Sequence, residues 1–500
     1  MMGKKPRPSA CDGGQGVDLI SDLGDDLLLR IISLLPDALD LAGLATLSRR
    51  WRDLSTRSPT LHLHPVYRTG KDEDDETLKR FNASAQRFND FIDAVLQRRV
   101  CSVDTLHMDV LRWPGGARVN LWLRRAMELV VKSLHLSISL PLWSDQIPKD
   151  CKVRLPRCTR AAEMLLDLDY AILRLPAVVE FNALTDLSLR VISLSRGDGR
   201  RLGRLLSSTC CPRLQKLELF YVCGLRELQL DARALETLTL YELADLRRLD
   251  LDTPRLSSLE VGSSVLRRDP SNFTIRAPAL EQLQCSLMPY PREIEIQYRF
   301  NIQLLQSCTS VRRHIVELHV PQDMDLNEGD NVMVEIPPVP HVTNLKLDFR
   351  PRNNHIFGAC VSSILARYSN LQHLSLGISK FYLDRCGEGC CICGRVGSWK
   401  EDKISLDHLH EVEFSGFSGQ ECHDMAHLLI LNSQALQRMT VIVEASREIS
   451  CDDSLDDESP PQQRTTMDTS MLTLPRPRGK WSSRAPANEA TLEYEWTPEP

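Results

Sequence analysis

The chain has 500 residues, 42% of them hydrophobic and 26% charged, with 61 Lys and Arg set against 67 Asp and Glu for a net charge of −6. That is more chain than one ordinary core holds, and it predicts roughly two to four structural units. The near-balance of charge excludes a basic field for nucleic acid or an anionic membrane, and leaves a globular protein that binds other proteins or small molecules.

Residues 1–16 are rich in Gly, Pro and Lys and are predicted to be disordered. Lys4, Lys5 and Arg7 have no apolar run behind them, so no secretory signal is read there. No run of about 18 apolar residues occurs, and no membrane span is expected. The 16 cysteines are diluted along a long chain and read as reduced thiols in small core sites. An intracellular protein, in nucleus or cytoplasm, is expected.

Residues 18–65 read as a compact helical unit. Leu27, Ile31, Leu34 and Leu35 form one helical stripe that Leu28 and Ile32 broaden. Asp25 and Asp26 suit the positive end of the helix dipole, and Pro36 stops the helix. A second helix is predicted over 40–54, with Leu41, Leu44, Leu47 and Trp51 inward and Arg49, Arg50 and Arg52 flanking. A unit of this size buries little surface alone, yet it is generously supplied with Leu, Ile and Trp. The economical reading is that a partner completes part of that apolar face.

The acidic run Lys71-Asp72-Glu73-Asp74-Asp75-Glu76 is a solvated joint. Beyond it, Leu78, Phe81, Phe88, Phe91, Ile92, Val95 and Leu96 make one face of a helix over 77–99, expected to pack on the first repeat. From about Cys101 to Val320 the pattern becomes Leu-x-x-Leu-x-Leu, as in Leu184–Leu189, Leu214–Leu219, Leu225–Leu230, Leu235–Leu240, Leu246–Leu251 and Leu256–Val261. The middle leucines fall at 217, 228, 238, 249 and 259, and two steps make about 21 residues, a leucine-rich-repeat length. Each Leu-x-Leu is a short strand whose inward face only stacked neighbours bury, and the half-step is too short for a full helix on the other side. Val342–Leu347 and Leu371–Leu376 look like later copies. Residues 445–500, rich in Ser, Asp, Pro and Thr, are predicted to be mostly disordered.

With those residues in view the sequence is recognisable. Leu23-x-Asp25-Asp26-Leu27-Leu28-Leu29-x-Ile31-x-Ser33-Leu34-Leu35-Pro36, followed by Leu47-Ser48-Arg49-Arg50-Trp51-Arg52, resembles the F-box of plant F-box/leucine-rich-repeat proteins. Ile404-Ser-Leu406-x-x-Leu409-x-Glu411-Val412-Glu413-Phe414-x-Gly416-Phe417-x-Gly419 is similar to the start of the FBD-type module that ends these chains. A helix over 421–432 and a final strand at Leu436–Val441 should follow. The resemblance implies an α/β fold: an α-helical F-box, a leucine-rich-repeat solenoid over 77–400 with an N-terminal capping helix, and a strand-helix-strand cap over 404–443. It further implies a non-catalytic receptor subunit of a ubiquitin ligase, docked on a Skp-type adaptor and through it on a cullin and a RING subunit, with the repeats taking an unknown client protein. Leu23, Leu27, Leu28, Ile31, Leu34, Leu35, Leu44, Leu47 and Trp51 are the residues expected at the adaptor. Gly24 stands where family members usually carry proline, and Ser55 where they often carry Trp.

No catalytic set is read: there is no Gly-x-Ser-x-Gly elbow, no phosphate-cradling glycine loop and no His-Glu-x-x-His. Cys386-Gly-Glu-Gly-Cys390-Cys391-Ile-Cys393 places four thiols in eight residues, a density that zinc sites share, but the spacing is not that of paired Cys-x-x-Cys knuckles. Plain or redox-sensitive thiols are expected there, with no metal and no cofactor. The alternatives are an F-box/repeat scaffold acting outside a ligase, and a small-molecule receptor, for which the sequence marks no ligand pocket.

Overall fold

A computed structural model of the chain describes residues 23–35, 43–44, 47–65, 75–139, 151–157, 160–243, 245–262, 273–287, 303–320, 338–351, 358–378, 404–416, 419–444, 479–484 and 491–498. It is a mixed α/β protein. Helices α1 (Asp25–Ser33) and α2 (Arg49–Arg57) come first, then strand β1 (Thr60–Leu63) and the long helix α3 (Asp75–Arg98). β2 (Val103–Val110), α4 (Gly116–Leu129), β3 (Val130–Ile138), β4 (Lys152–Arg154), β5 (Glu163–Arg174) and β6 (Asp186–Ser193) follow. After α5 (Asp198–Leu205) come β7 (Lys216–Cys223), β8 (Glu227–Asp231), β9 (Thr237–Tyr241), β10 (Arg248–Asp252), β11 (Ser258–Val261) and β12 (Phe273–Arg276). The rest is β13 (Gln282–Leu287), β14 (Arg313–Val320), β15 (Asn344–Pro351), α6 (Gly358–Leu365), β16 (His373–Ile378), β17 (Glu411–Ser415), α7 (Gly419–Asn432), β18 (Arg438–Glu444), β19 (Gly479–Arg484) and β20 (Thr491–Pro498).

One parallel ladder runs through the molecule. β1, β2, β3, β5, β6, β7, β9, β11 and β13 pair in that order. From β13 it continues through β14, β15, β16 and β17 to β18. Its register stacks leucine on leucine, Leu187 beside Leu217, Leu238, Leu259 and Leu283, and all five are buried. Alternation at period two explains this: every second side chain faces the core, so one residue type repeated in register fills it.

The ten-residue half-step separates into two sheets. Leu217, Leu238 and Leu259 lie on the long ladder, whereas Leu228 and Leu249 lie on a second parallel sheet, β8-β10-β12. The chain crosses the core between units, and the first leucine of each closes the turn: Leu235 N–H donates to Ala232 O (3.2 Å) and Leu256 N–H to Thr253 O (3.1 Å). Extended segments therefore back the ladder in this stretch, as the short half-step requires. α5 lies against β8, and Gly203 makes that possible, because a Cβ there would sit 2.0 Å from the Gln229 carbonyl oxygen. Gly197, in the turn before α5, is left-handed (φ 85) and opens that helix.

The predicted second helix over 40–54 is described as α2, Arg49–Arg57, with residues 43–44 and 47 also helical. The C-terminal expectation needs correcting too. The strand at Arg438–Glu444 is not the last, because β20 pairs with it antiparallel and β19 pairs with β20. Trp496 is buried there, beside Met439 and opposite Trp481. Burial of Trp496, with the half-buried Trp481 packed against the core, holds these two strands in place within a segment of polar composition. Residues 1–16, Leu41, Lys71–Asp74 and Cys386–Cys393 lie outside the described residues. Among the described residues, no helix is long and apolar enough to cross a membrane.

Candidate docking surface

α1 starts at Gly24, whose backbone (φ −64, ψ 153) is extended and whose missing side chain offers no cap. Asp25 and Asp26 take over part of that task, since negative charge in the first turn suits the exposed N–H groups. The helix carries two apolar stripes. Leu28 and Ile32, four apart, are each 1% exposed and pack with Leu54 into the chain's own core. Leu27, Ile31 and Leu34, at i, i+4 and i+7, are 54%, 42% and 78% exposed. Residues at those spacings share one face.

α2 is held by short-range chemistry. Ser48 Oγ accepts the Trp51 N–H at 3.3 Å, a true N-cap. Arg50 reaches back to the start of α1, donating through Nη2 to Leu23 O (2.5 Å) and to Asp25 Oδ1 (2.8 Å) and through Nε to the same oxygen (3.0 Å). This clasp fixes the angle between the helices, although its exposure limits it to about 1 kcal/mol as an ion pair. Sequence reasoning missed it, because no local rule pairs residues 25 positions apart.

The nine predicted contact residues divide accordingly. Leu27, Ile31, Leu34 and Leu47 are exposed, Leu47 at 67%. Leu23, Leu35, Leu44 and Trp51 are half-buried and rest against the core. Leu28 is a correction: it faces the chain's own core and leaves no surface for a partner. Leu47, expected inward, is another.

A second surface lies on the outward face of the ladder. Arg190 Nη2, Lys216 Nζ and Ser188 Oγ approach the Glu218 carboxylate at 2.8, 2.8 and 2.9 Å. Burial alone would raise Glu218, but bonds from Lys216, Arg190 and Ser188 overcome it and hold the carboxyl down at about 2. Beside this network Phe220 and Tyr241 stack with centroids 4.3 Å apart, and Arg190 lies over Phe220 at 5.7 Å. Val191, Tyr221 and Glu242 all have positive φ, Val191 and Tyr221 within β6 and β7 and Glu242 just after β9.

A short helix pair with an uncovered apolar stripe, joined to a long parallel ladder of Leu-x-Leu strands, defines a protein built for interaction with other proteins. No family model matches the chain. It is 25% identical over 319 residues to an FBD-associated F-box protein of Arabidopsis thaliana, covering 59% of this chain and 67% of that one. It is 24% identical over 314 residues to an F-box/FBD/LRR-repeat protein of the same plant, covering 59% of this chain and 64% of the other. An Arabidopsis thaliana F-box protein is 31% identical over 147 residues, 28% of this chain and 32% of its own. The longest of these matches span about two thirds of the relatives' length. The chain is thus similar to F-box proteins of Arabidopsis thaliana that carry FBD and LRR-repeat names.

Proposed function

We propose that this chain is a substrate-recognition subunit of an SCF-type cullin-RING ubiquitin ligase. Its helix pair acts as the F-box that docks a Skp-type adaptor, the strand ladder acts as a leucine-rich-repeat solenoid that presents a client protein, and the elements from β17 onward act as the FBD-type end of that solenoid. The observation that carries the reading is the exposed stripe Leu27, Ile31 and Leu34 on a helix whose neighbouring apolar stripe is already buried. An apolar face left over after the chain has formed its own core is a surface for another helix. The receptor needs no catalytic group in this role. It works by holding acceptor lysines near the charged ubiquitin carrier, which raises their effective concentration.

The test is affinity purification of the full chain and of a chain lacking residues 18–54, followed by mass spectrometry. The full chain should bring down a Skp-type adaptor together with a cullin, and the deletion neither. Adaptor without cullin favours a scaffold working outside a ligase. Recovery of the adaptor by the deleted chain removes the F-box assignment.

A further inference from the structure

The sequence reading expected no metal, yet the start of the ladder gathers imidazoles. His62 and His64 share one face of the first strand and its exit, because alternate residues point the same way. Parallel register places His107 of β2 beside His62, and His135 of β3 beside His107. Adjacent strands lie about 4.8 Å apart, so such a column brings ring against ring. The His64 and His107 centroids are 4.5 Å apart, and His107 stacks on His135 at 3.9 Å.

We propose that His62, His64 and His107 bind a divalent transition-metal ion of the zinc class, with Asp109 as the carboxylate that positions the rings. One ligand nitrogen from each of the three histidines lies within 4.8 Å of the others. Tetrahedral zinc with nitrogen ligands at about 2.0–2.1 Å needs those atoms about 3.4 Å apart, a gap that small side-chain rotations close. Asp109 Oδ2 lies 2.5 Å from His64 Nδ1 and Asp109 Oδ1 lies 3.2 Å from His107 Nε2. A carboxylate on one ring nitrogen fixes the plane of the ring, as at metal-bound histidines, and each ring keeps a second nitrogen that a rotation of the side chain can offer to an ion. His135 supports the same plane by stacking. The side chains of His64, His107 and Asp109 are 31%, 25% and 35% exposed, so an ion can enter from solvent and keep a water as its fourth ligand. Imidazole donors favour zinc, copper, nickel or iron over magnesium or calcium.

The test is titration of the full-length, metal-stripped chain with cobalt(II) and then with zinc chloride, read by visible absorption and calorimetry. One equivalent should bind with ligand-field bands, and the cobalt held by this site should show no thiolate charge-transfer band, which separates it from the Cys386–Cys393 thiols. His62→Ala and His107→Ala should each weaken binding at least tenfold, and Asp109→Asn about ten- to a hundredfold. His427→Ala, on a distant helix, should leave it unchanged. His64→Gln serves where an alanine variant loses its native melting profile. Cobalt uptake accounted for entirely by a thiolate band, no uptake at all, or equal affinity in the folded His62, His64 and His107 variants would overturn the assignment.

Discussion

Neighbouring leucines on α1 should fail in opposite ways. Leu27 keeps 54% of its surface exposed while Leu28 keeps 1%. Full burial of a leucine contributes about 1.5–3 kcal/mol, so covering what remains of Leu27 is worth about 0.8–1.6 kcal/mol to a complex. Leu27→Asp forfeits that and adds the desolvation of a carboxylate, a total of about 2 kcal/mol or more and at least about thirtyfold in Kd. Because Leu27 touches little of its own chain, the melting temperature should hardly change. Leu28→Ala instead opens a cavity in the core and should cost about 2–5 kcal/mol of stability in the helix pair. Calorimetry against a recombinant Skp-type adaptor and thermal unfolding of the same preparations read both effects. Wild-type affinity in Leu27→Asp, or a melting loss in it equal to that of Leu28→Ala, would refute the division of α1 into an inner and an outer stripe.

Gly24→Pro should stabilise the helix pair by about 0.4–1 kcal/mol in urea unfolding, since the glycine already sits at φ −64 with no atom within 4 Å of a new Cβ. His314 supplies a pH dependence: burial and then His341 lower it from 6.5 to about 3, while its Nδ1 and Nε2 meet Tyr368 Oη (2.7 Å) and Cys285 Sγ (3.1 Å). Its folded pKa lies below the unfolded one, so the contribution is whole above pH 6.5 and drains away as pH falls through 3. Roughly 3 kcal/mol should be gone by pH 4, and the unfolding free energy of His314→Gln should fall less steeply over that range. Arg99, buried and donating to the Ser58 carbonyl, should cost about 1–3 kcal/mol when changed to Met. Hydrogen exchange at Thr60–Leu63 should then quicken while β5 and β6 keep their protection; unchanged exchange there would contradict the role.

What the sequence made legible is what local period determines. Leu-x-Leu at steps of ten or eleven dictates strands that must stack, and the ladder places Leu217, Leu238 and Leu259 side by side. Which stripe of α1 faces out was not legible, because Leu27, Ile31 and Leu34 differ from Leu28 and Ile32 only by a rotation about the helix axis, and burial of the second stripe in a core assembled from distant segments decides it. His314 occupies the ladder position between Leu283 and Leu345, where the pattern calls for an apolar residue. Its tolerance depends on Cys285 and Tyr368, the latter 54 residues away, and no window of sequence contains that. The β19–β20 hairpin was hidden by averaging, since Trp481, Tyr494 and Trp496 sit in a segment dominated by Ser, Pro and acidic residues. The histidine column was hidden for the same reason as the Arg50 clasp: register, not spacing, brings its members together.

The helix pair is joined to the ladder without slack. β1 begins three residues after α2 ends, Thr60 Oγ1 donates to Ser33 O at 3.5 Å, and Arg99 holds the Ser58 carbonyl from the end of α3. Arg125 of α4 in turn donates to Arg99 O at 2.5 Å, so the first two helices, α3, α4 and the first strand share one polar joint. Under the proposed function such a joint would help, because each loose link between adaptor and client would widen the volume that an acceptor lysine explores and lower its effective concentration at the ubiquitin carrier. The stiffness also explains why the outer stripe stays bare. α1 is fixed by Leu28 and Ile32 below and Arg50 beside it, and cannot roll to bury Leu27, Ile31 and Leu34 without giving up the core contacts and the clasp together. Exposure of that stripe is therefore a consequence of how the chain holds its own helix, and the apolar surface persists until another polypeptide covers it.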